Sequence, residues 1–190
     1  MSMIVAFAGK AGSGKSTVAS LVRDALQYRY NLTLPVVSFA TPIKQMVQVL
    51  SDYTKTDFSC GKNDKFLFTD KTLRQFYQTL GTEWGRDQIQ KDFWAMLVNE
   101  RYVKNNLSII IDDLRFADEL GFVKQQNPGL TFYLQRNLDV AVLDTHKSEN
   151  DLQPDDCEYV VNNNRQLYEV VDDIVKIIVD RYELLSKNTN

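Results

Sequence analysis

Gly9-Lys10-Ala11-Gly12-Ser13-Gly14-Lys15-Ser16 satisfies the spacing G-x-x-x-x-G-K-[ST], with Thr17 directly after it. The apolar run Met3-Ile4-Val5-Ala6-Phe7-Ala8 stands immediately before it. Strand, glycine-rich turn and helix is the context that gives this spacing its meaning. Glycines let successive backbone N–H groups turn inward around phosphate oxygens, and the helix opening near Lys15 aims the positive end of its dipole at them. Gly9, Ala11, Gly12, Ser13, Gly14, Lys15, Ser16 and Thr17 are therefore the candidate ATP-binding residues. Lys15 is expected to reach the β- and γ-phosphates, and the Ser16 hydroxyl to ligate Mg²⁺.

A second constellation follows the run Leu107-Ser108-Ile109-Ile110-Ile111, which ends in Asp112-Asp113. A carboxylate at the carboxyl end of a central strand sits where α/β sheets bind ligands, and it can hold Mg²⁺ or orient an acceptor. A helix-capping role for either aspartate is the plainer reading. Arg115 comes two residues later and Glu119 four after that, so a helix opening near Phe116 presents both to one cleft. Arginine beside a carboxylate and a phosphate loop suits bidentate recognition of an acceptor phosphate. Arg74 and Arg86 flank Phe76, Tyr77, Trp84, Phe93 and Trp94. Cationic donors beside flat apolar faces suit a ligand that carries both a phosphate and a planar ring. Core packing is the plainer role for most of these rings. Trp84 and Trp94 are the candidates for base contact, with Gly81 and Gly85 allowing close backbone approach, and Gln78, Thr82 and Glu83 can read polar edges.

The run Gln78-Thr79-Leu80-Gly81-Thr82-Glu83-Trp84-Gly85-Arg86, followed by Asp92-Phe93-Trp94, resembles the bacteriophage deoxynucleoside monophosphate kinase family. So do the D-x-R-x-x-x-E pattern at Asp113, Arg115 and Glu119, the His146-x-Ser148-Glu149 element, and Phe39-Ala40-Thr41-Pro42-Ile43-Lys44. The resemblance runs from the phosphate loop to about residue 163. It implies a P-loop kinase fold, ATP and Mg²⁺, and a deoxynucleotide as phosphoryl acceptor. Lys44, Arg74, Gln78, Thr82, Glu83, Trp84, Arg86, Trp94, Asp113, Arg115 and Glu119 are then the expected acceptor-binding residues. Lys15, Asp113, Arg115 and Arg136 are the expected catalytic set, and Ser16 and Asp113 the expected metal ligands.

These residues need a scaffold. A helix is expected from Lys15 to about Arg29, with Val18, Leu21, Val22, Ala25 and Leu26 inward. Leu34 to Ala40 reads as a strand, and Thr41-Pro42 as a cap with proline at the first helical position. The next helix carries Ile43, Met46, Val47 and Leu50 inward. Residues 52–70 read as an exposed connection. Helical patterns cover Lys71 to about Gln90 and Asp92 to Lys104. Strands follow at Leu107–Ile111, Leu130–Gln135 and Glu158–Val161, with helices at Ala117–Gln126 and 165–186. This alternation predicts an α/β fold: about five parallel strands with helices on both faces. The strand-free stretch 41–105 is expected to be an inserted helical acceptor-binding lobe within a single domain over 1–190.

Residues 137–156 are expected to form a short lid, as in adenylate-kinase relatives. Lys147 is its one strong cation, Arg136 stands at its entrance, and His146 is either a lid contact or a solvated loop histidine. Asn162-Asn163-Asn164 follows the last strand, where such kinases often hold adenine.

Composition narrows the class. The 190 residues carry a net charge of −3, which argues against a broad nucleic-acid surface and leaves a locally basic nucleotide cleft open. Cys60 and Cys157 are too few for a disulfide framework or zinc site, so reduced thiols and a cytosolic setting are expected, the host cytosol for a phage protein. The N-terminal apolar run is too short for a signal peptide or membrane span. Nucleotides are the expected partners, with a homodimer left open. The rival readings are a kinase for another small acceptor (dephospho-coenzyme A or a nucleoside) and a non-catalytic ATP-binding module. The arginines beyond the phosphate loop argue against the module, because a pure ATP binder needs no second phosphate site.

Overall fold

Ile4–Ala8 is buried at every position, as an apolar run must be when helices cover both faces of its sheet. It forms β1, the centre of five parallel strands in a computed structural model that describes residues 2–55, 63–66, 69–137 and 151–187. The order in the sheet is β2 (Val36–Val37), β3 (Ile109–Ile111), β1, β4 (Gly129–Gln135), β5 (Tyr159–Asn162). Every pairing is parallel, so each connection must cross over. Around the strands run α1 (Lys15–Tyr30), α2 (Thr41–Thr54), α3 (Leu73–Gln78), a π-helix (Thr79–Ile89), α4 (Phe93–Arg101), α5 (Ala117–Lys124) and α6 (Leu167–Lys187). The fold class and strand count read from the sequence are those observed.

The chain divides into two compact units: Met1–Ser38 with Val98–Asn190, and Phe39–Leu97. The core of the first joins β1 and β4 to one stripe each of α1 and α6, with Phe7 stacked on Phe132 at 5.5 Å and Phe132 on Tyr159 at 5.0 Å. Each fully buried Ile, Leu or Phe here contributes about 1.5–3 kcal/mol of transfer free energy. In the second unit Val47, Phe66 and Leu73 form a small core, with Phe76, Tyr77 and Leu80 packed against it.

Several local expectations are corrected. Leu21 is 38% exposed, and Ala19 takes the inward place on α1. Leu50 is exposed on α2, leaving Ile43 and Val47 inward. The strand expected over 34–40 pairs only at Val36–Val37. Thr41 does not cap α2: Ala40 holds the N-cap position, without a side-chain bond, and Thr41 is already helical. The pattern over 71–90 is split, with α3 capped by a reciprocal Thr72–Gln75 box and then widening into the π-helix. Most of the expected lid, His146, Lys147 and Cys60 lie outside the described residues.

Candidate active site

The register of the sheet brings four segments distant in sequence to one edge. Ala6 pairs with Ile111, Ala8 with Tyr133 and Gln135 with Asn162. The loop after β1, the aspartates after β3, Arg136 after β4 and Asn163 after β5 therefore all leave the carboxyl ends of neighbouring strands. The chain lays β2 and β3 on one side of β1 and β4 and β5 on the other. That reversal leaves a crevice outside the carboxyl end of β1, where open α/β sheets take their ligands.

The phosphate loop fills this position. Gly9, Gly12 and Gly14 have φ of 139°, 78° and 90°. At Gly9 a Cβ would stand 2.6 Å from the Leu134 carbonyl oxygen, so only glycine permits this course. Ser13 donates its N–H to the Lys10 carbonyl at 3.1 Å, closing the turn. Lys15, 8% exposed, reaches back over the loop and donates from Nζ to the carbonyls of Gly9 at 2.7 Å and Lys10 at 2.9 Å. Its charge is thereby held on the loop itself. Ser16 and Thr17 are exposed on the first turn of α1. Asn163 donates to the Ser13 carbonyl.

Asp112 and Asp113 follow β3. Asp112 is tied to strand order twice: its N–H donates to the Val37 carbonyl at 3.2 Å, and its carboxylate accepts from Ser38 Oγ at 2.5 Å. The Leu114 N–H donates to the Phe7 carbonyl at 3.1 Å, which keeps the aspartate pair beside the exit of β1. Arg115 is half-buried. Glu119, 3% exposed, accepts the N–H groups of Arg115 at 2.9 Å and Phe116 at 3.1 Å with one carboxylate oxygen. It fixes the turn that carries Arg115 into α5. Arg136 is exposed one residue beyond β4.

In the second unit the distinctive Q-T-x-G-T-E-x-x-R segment lies almost wholly in the π-helix. Wide turns of this kind are rare and occur often at functional sites. Trp94 is 2% exposed and donates Nε1–H to the Gly81 carbonyl at 2.7 Å. Its ring lies against Gly85, where a Cβ would come within 2.7 Å of Cε2. The expectation that Trp94 offers a face to a base is corrected, since the indole is enclosed and its donor used. Gly85 makes room for that ring and not for a ligand. Trp84 is half-buried, with its ring centre 5.9 Å from that of Phe93 and 6.3 Å from that of Trp94. Arg86 is buried and donates Nη1–H to the Lys91 carbonyl at 3.1 Å. Lys44 and Glu83 are exposed; Arg74, Gln78 and Thr82 are half-buried.

Sequence reasoning missed Ser38, and it named the run Asn162-Asn163-Asn164 without singling out Asn163. Ser38 carries no motif, and only its place at the end of a paired strand puts it on Asp112. Asn163 lay in a run of three asparagines, and nothing local singles out the middle one.

A parallel sheet with a phosphate loop after its central strand, a lysine folded over that loop and carboxylates at the end of the neighbouring strand defines a P-loop kinase. A shikimate kinase from Aquifex aeolicus superposes with a TM-score of 0.52, covering 95% of this chain and 98% of that one at 16% identity. A protein from Eubacterium ventriosum gives 0.51 at 12% identity, covering 95% and 99%. At such identities the likeness establishes the fold. The profile of the deoxynucleotide monophosphate kinase family matches residues 43–174, and the chain belongs to that family. A deoxynucleoside-5'-monophosphate kinase of Escherichia phage T5 is 24% identical over 185 aligned positions, covering 67% of this chain and 74% of that protein. The chain is an ATP-dependent phosphotransferase. Among the described residues no helix is long and apolar enough to cross a membrane.

Proposed function

We propose that the chain transfers the γ-phosphoryl group of ATP to a deoxynucleoside monophosphate, in the cytosol, with the residues above in the following roles. The observation that carries the reading is the phosphate loop with Lys15 folded across it, in a chain of the deoxynucleotide monophosphate kinase family. The triphosphate of ATP binds on Gly9–Thr17. On binding, Lys15 exchanges its two loop carbonyls for β- and γ-phosphate oxygens, so no long movement is needed to bring the charge to the reacting group.

In the first unit Arg115 is the assigned partner of the acceptor phosphate; in the second, Arg86, Arg74 and Lys44 are the candidate acceptor-binding cations. Gln78, Thr82 and Glu83 read polar edges of the nucleoside, and Trp84 supplies apolar area. An oxygen of the acceptor phosphate attacks the γ-phosphorus in line. The bond from that phosphorus to the β–γ bridging oxygen breaks, and its electron pair leaves on ADP. No general base is needed, because a phosphate monoester is already anionic near neutral pH. Arg136 and Lys15 offset charge on the transferring group.

The donor set fits Mg²⁺, a hard cation that takes oxygen ligands and keeps several waters: an exposed Ser16 hydroxyl and the carboxylates of Asp112 and Asp113 at the neighbouring strand end. Ser16, Asp112 and Asp113 would hold the ion, which would supply charge neutralisation to the phosphates. Ser38 holds the Asp112 carboxylate in place for this.

ADP release tests the reading, with ATP, Mg²⁺ and each of dAMP, dGMP, dCMP and dTMP in turn. The expected result is turnover with one or more of the four, lost on chelation. Release only with deoxynucleosides or dephospho-coenzyme A overturns it.

A further inference from the structure

Asn163 and Ser13 are 150 residues apart, yet Asn163 Nδ2 donates to the Ser13 carbonyl at 2.7 Å in the interior of the first unit. The two are 8% and 1% exposed. The direction of this bond is fixed, because a peptide oxygen only accepts. The bond also depends on Gly14: a Cβ there would stand 2.7 Å from Asn163 Nδ2, so any other residue would displace the amide.

Asn163 is itself held at the sheet edge. Its N–H donates to the carbonyl of Gln135, the last residue of β4, at 2.8 Å. The next residue, Asn164, accepts the Asn137 N–H on Oδ1 at 2.8 Å and donates from Nδ2 to Asn162 Oδ1 at 2.7 Å. The turn after β5 is thus bonded to the exit of β4 and, through Asn163, to the phosphate loop.

A trans peptide is planar, and its C=O and N–H point in opposite directions. Holding the Ser13 carbonyl toward Asn163 therefore turns the Gly14 N–H to the opposite side of that peptide. Without a partner on the carbonyl this orientation is weakly defended, because glycine takes positive and negative φ almost equally well. Rotation of the Ser13–Gly14 peptide would present a carbonyl oxygen to the phosphates in place of a donor. We propose that Asn163 is a positioning residue that locks the Ser13–Gly14 peptide in its phosphate-facing orientation and so sets the affinity for ATP. The proposal rests on the reading that ATP phosphates occupy this loop.

Asn163→Ala and the isosteric Asn163→Asp, which cannot donate, test it by equilibrium binding of ATP-Mg²⁺ and by steady-state kinetics. Asn163→Ala is expected to raise the Kd and KM for ATP about tenfold, the worth of one buried hydrogen bond, while the acceptor KM holds. Asn163→Asp should do at least as much, and it carries the test alone if the alanine variant does not fold. The control for a merely structural role is Thr131→Val. Thr131 is 1% exposed, lies within β4 and accepts the Glu158 N–H at 2.9 Å. It is expected to lower the melting temperature and leave ATP affinity unchanged. The proposal is overturned if ATP affinity is unchanged in both Asn163 variants, or if Thr131→Val weakens it equally at a similar loss of stability. Lys15→Ala separates the two layers: full turnover there contradicts the phosphate-loop reading itself. Lost turnover there with intact ATP affinity in the Asn163 variants contradicts only the role of Asn163.

Discussion

Glu119 receives the backbone N–H of Arg115 on a buried carboxylate oxygen at 2.9 Å, and the same oxygen takes the Phe116 N–H at 3.1 Å. A residue expected to contact the acceptor therefore also serves as the mount of another. Orphan N–H groups at a helix start need an acceptor, and an anion there is favoured by the helix dipole.

Glu119→Ala is expected to cost about 1–3 kcal/mol of stability, because two donors lose their acceptor in a buried place. Glu119→Gln keeps a carbonyl oxygen in reach and should recover most of that loss. Urea unfolding of the two variants is the check. Equal midpoints for Glu119→Ala and the parent protein would contradict the capping role.

Arg115→Ala should damage acceptor use and spare ATP binding, since its assigned partner is the second phosphate. Loss of one charge-assisted contact of about 1.5–3 kcal/mol corresponds to a roughly 10- to 150-fold rise in the acceptor KM. Equilibrium ATP binding separates the cases. A collapse of ATP affinity with an unchanged acceptor KM reverses the assignment.

The phosphate loop and the α/β order were legible because both are local. A strand, a glycine turn and a lysine at fixed spacing need no knowledge of the rest of the chain, and apolar runs such as Ile109–Ile111 declare their burial directly. The polar tertiary contacts were not legible. The bonds from Asn163 to Ser13 and from Ser38 to Asp112 join residues 150 and 74 positions apart. Such pairs leave no periodic trace in the sequence. Aromatic residues were ambiguous for another reason. A tryptophan suits a base or a core equally well, and only the enclosure of Trp94 by Gly81 and Gly85 decides it. Leu21 and Leu50 were misplaced because a helical stripe read from apolar spacing is wider than the face that packs.

Gly85→Ala should destabilise the unit Phe39–Leu97 by about 1–3 kcal/mol, the usual cost of forcing a group into filled space. Trp94→Phe alone removes the bond to Gly81 and leaves space beside Gly85. In the double variant the alanine is then expected to cost less than in the parent background. Additive losses would contradict direct contact between the two positions.

Cys157 gives a pH-dependent prediction. Burial raises its thiol from 9.0 to about 11, with the Lys124 charge opposing. The folded state keeps a proton that the unfolded chain releases near pH 9, so the folded state binds more protons between pH 9 and 11. Stability from this group is therefore intact below pH 9 and falls as pH rises toward 11, by roughly 2–3 kcal/mol in all. Urea unfolding at pH 8 and pH 10.5 should show a steeper loss in the parent protein than in Cys157→Ala. Parallel losses would contradict the buried thiol as their source.

The central claim is that a phosphate oxygen accepts the phosphoryl group, and the fate of the γ-phosphorus of ATP tests it most directly. Protein, Mg²⁺, γ-labelled ATP and each common deoxynucleoside monophosphate are incubated together, and the labelled product is separated and identified. The account predicts label in the β-phosphate of a deoxynucleoside diphosphate, in an amount equal to the ADP formed. Label found only as inorganic phosphate, or on a sugar hydroxyl, would contradict it.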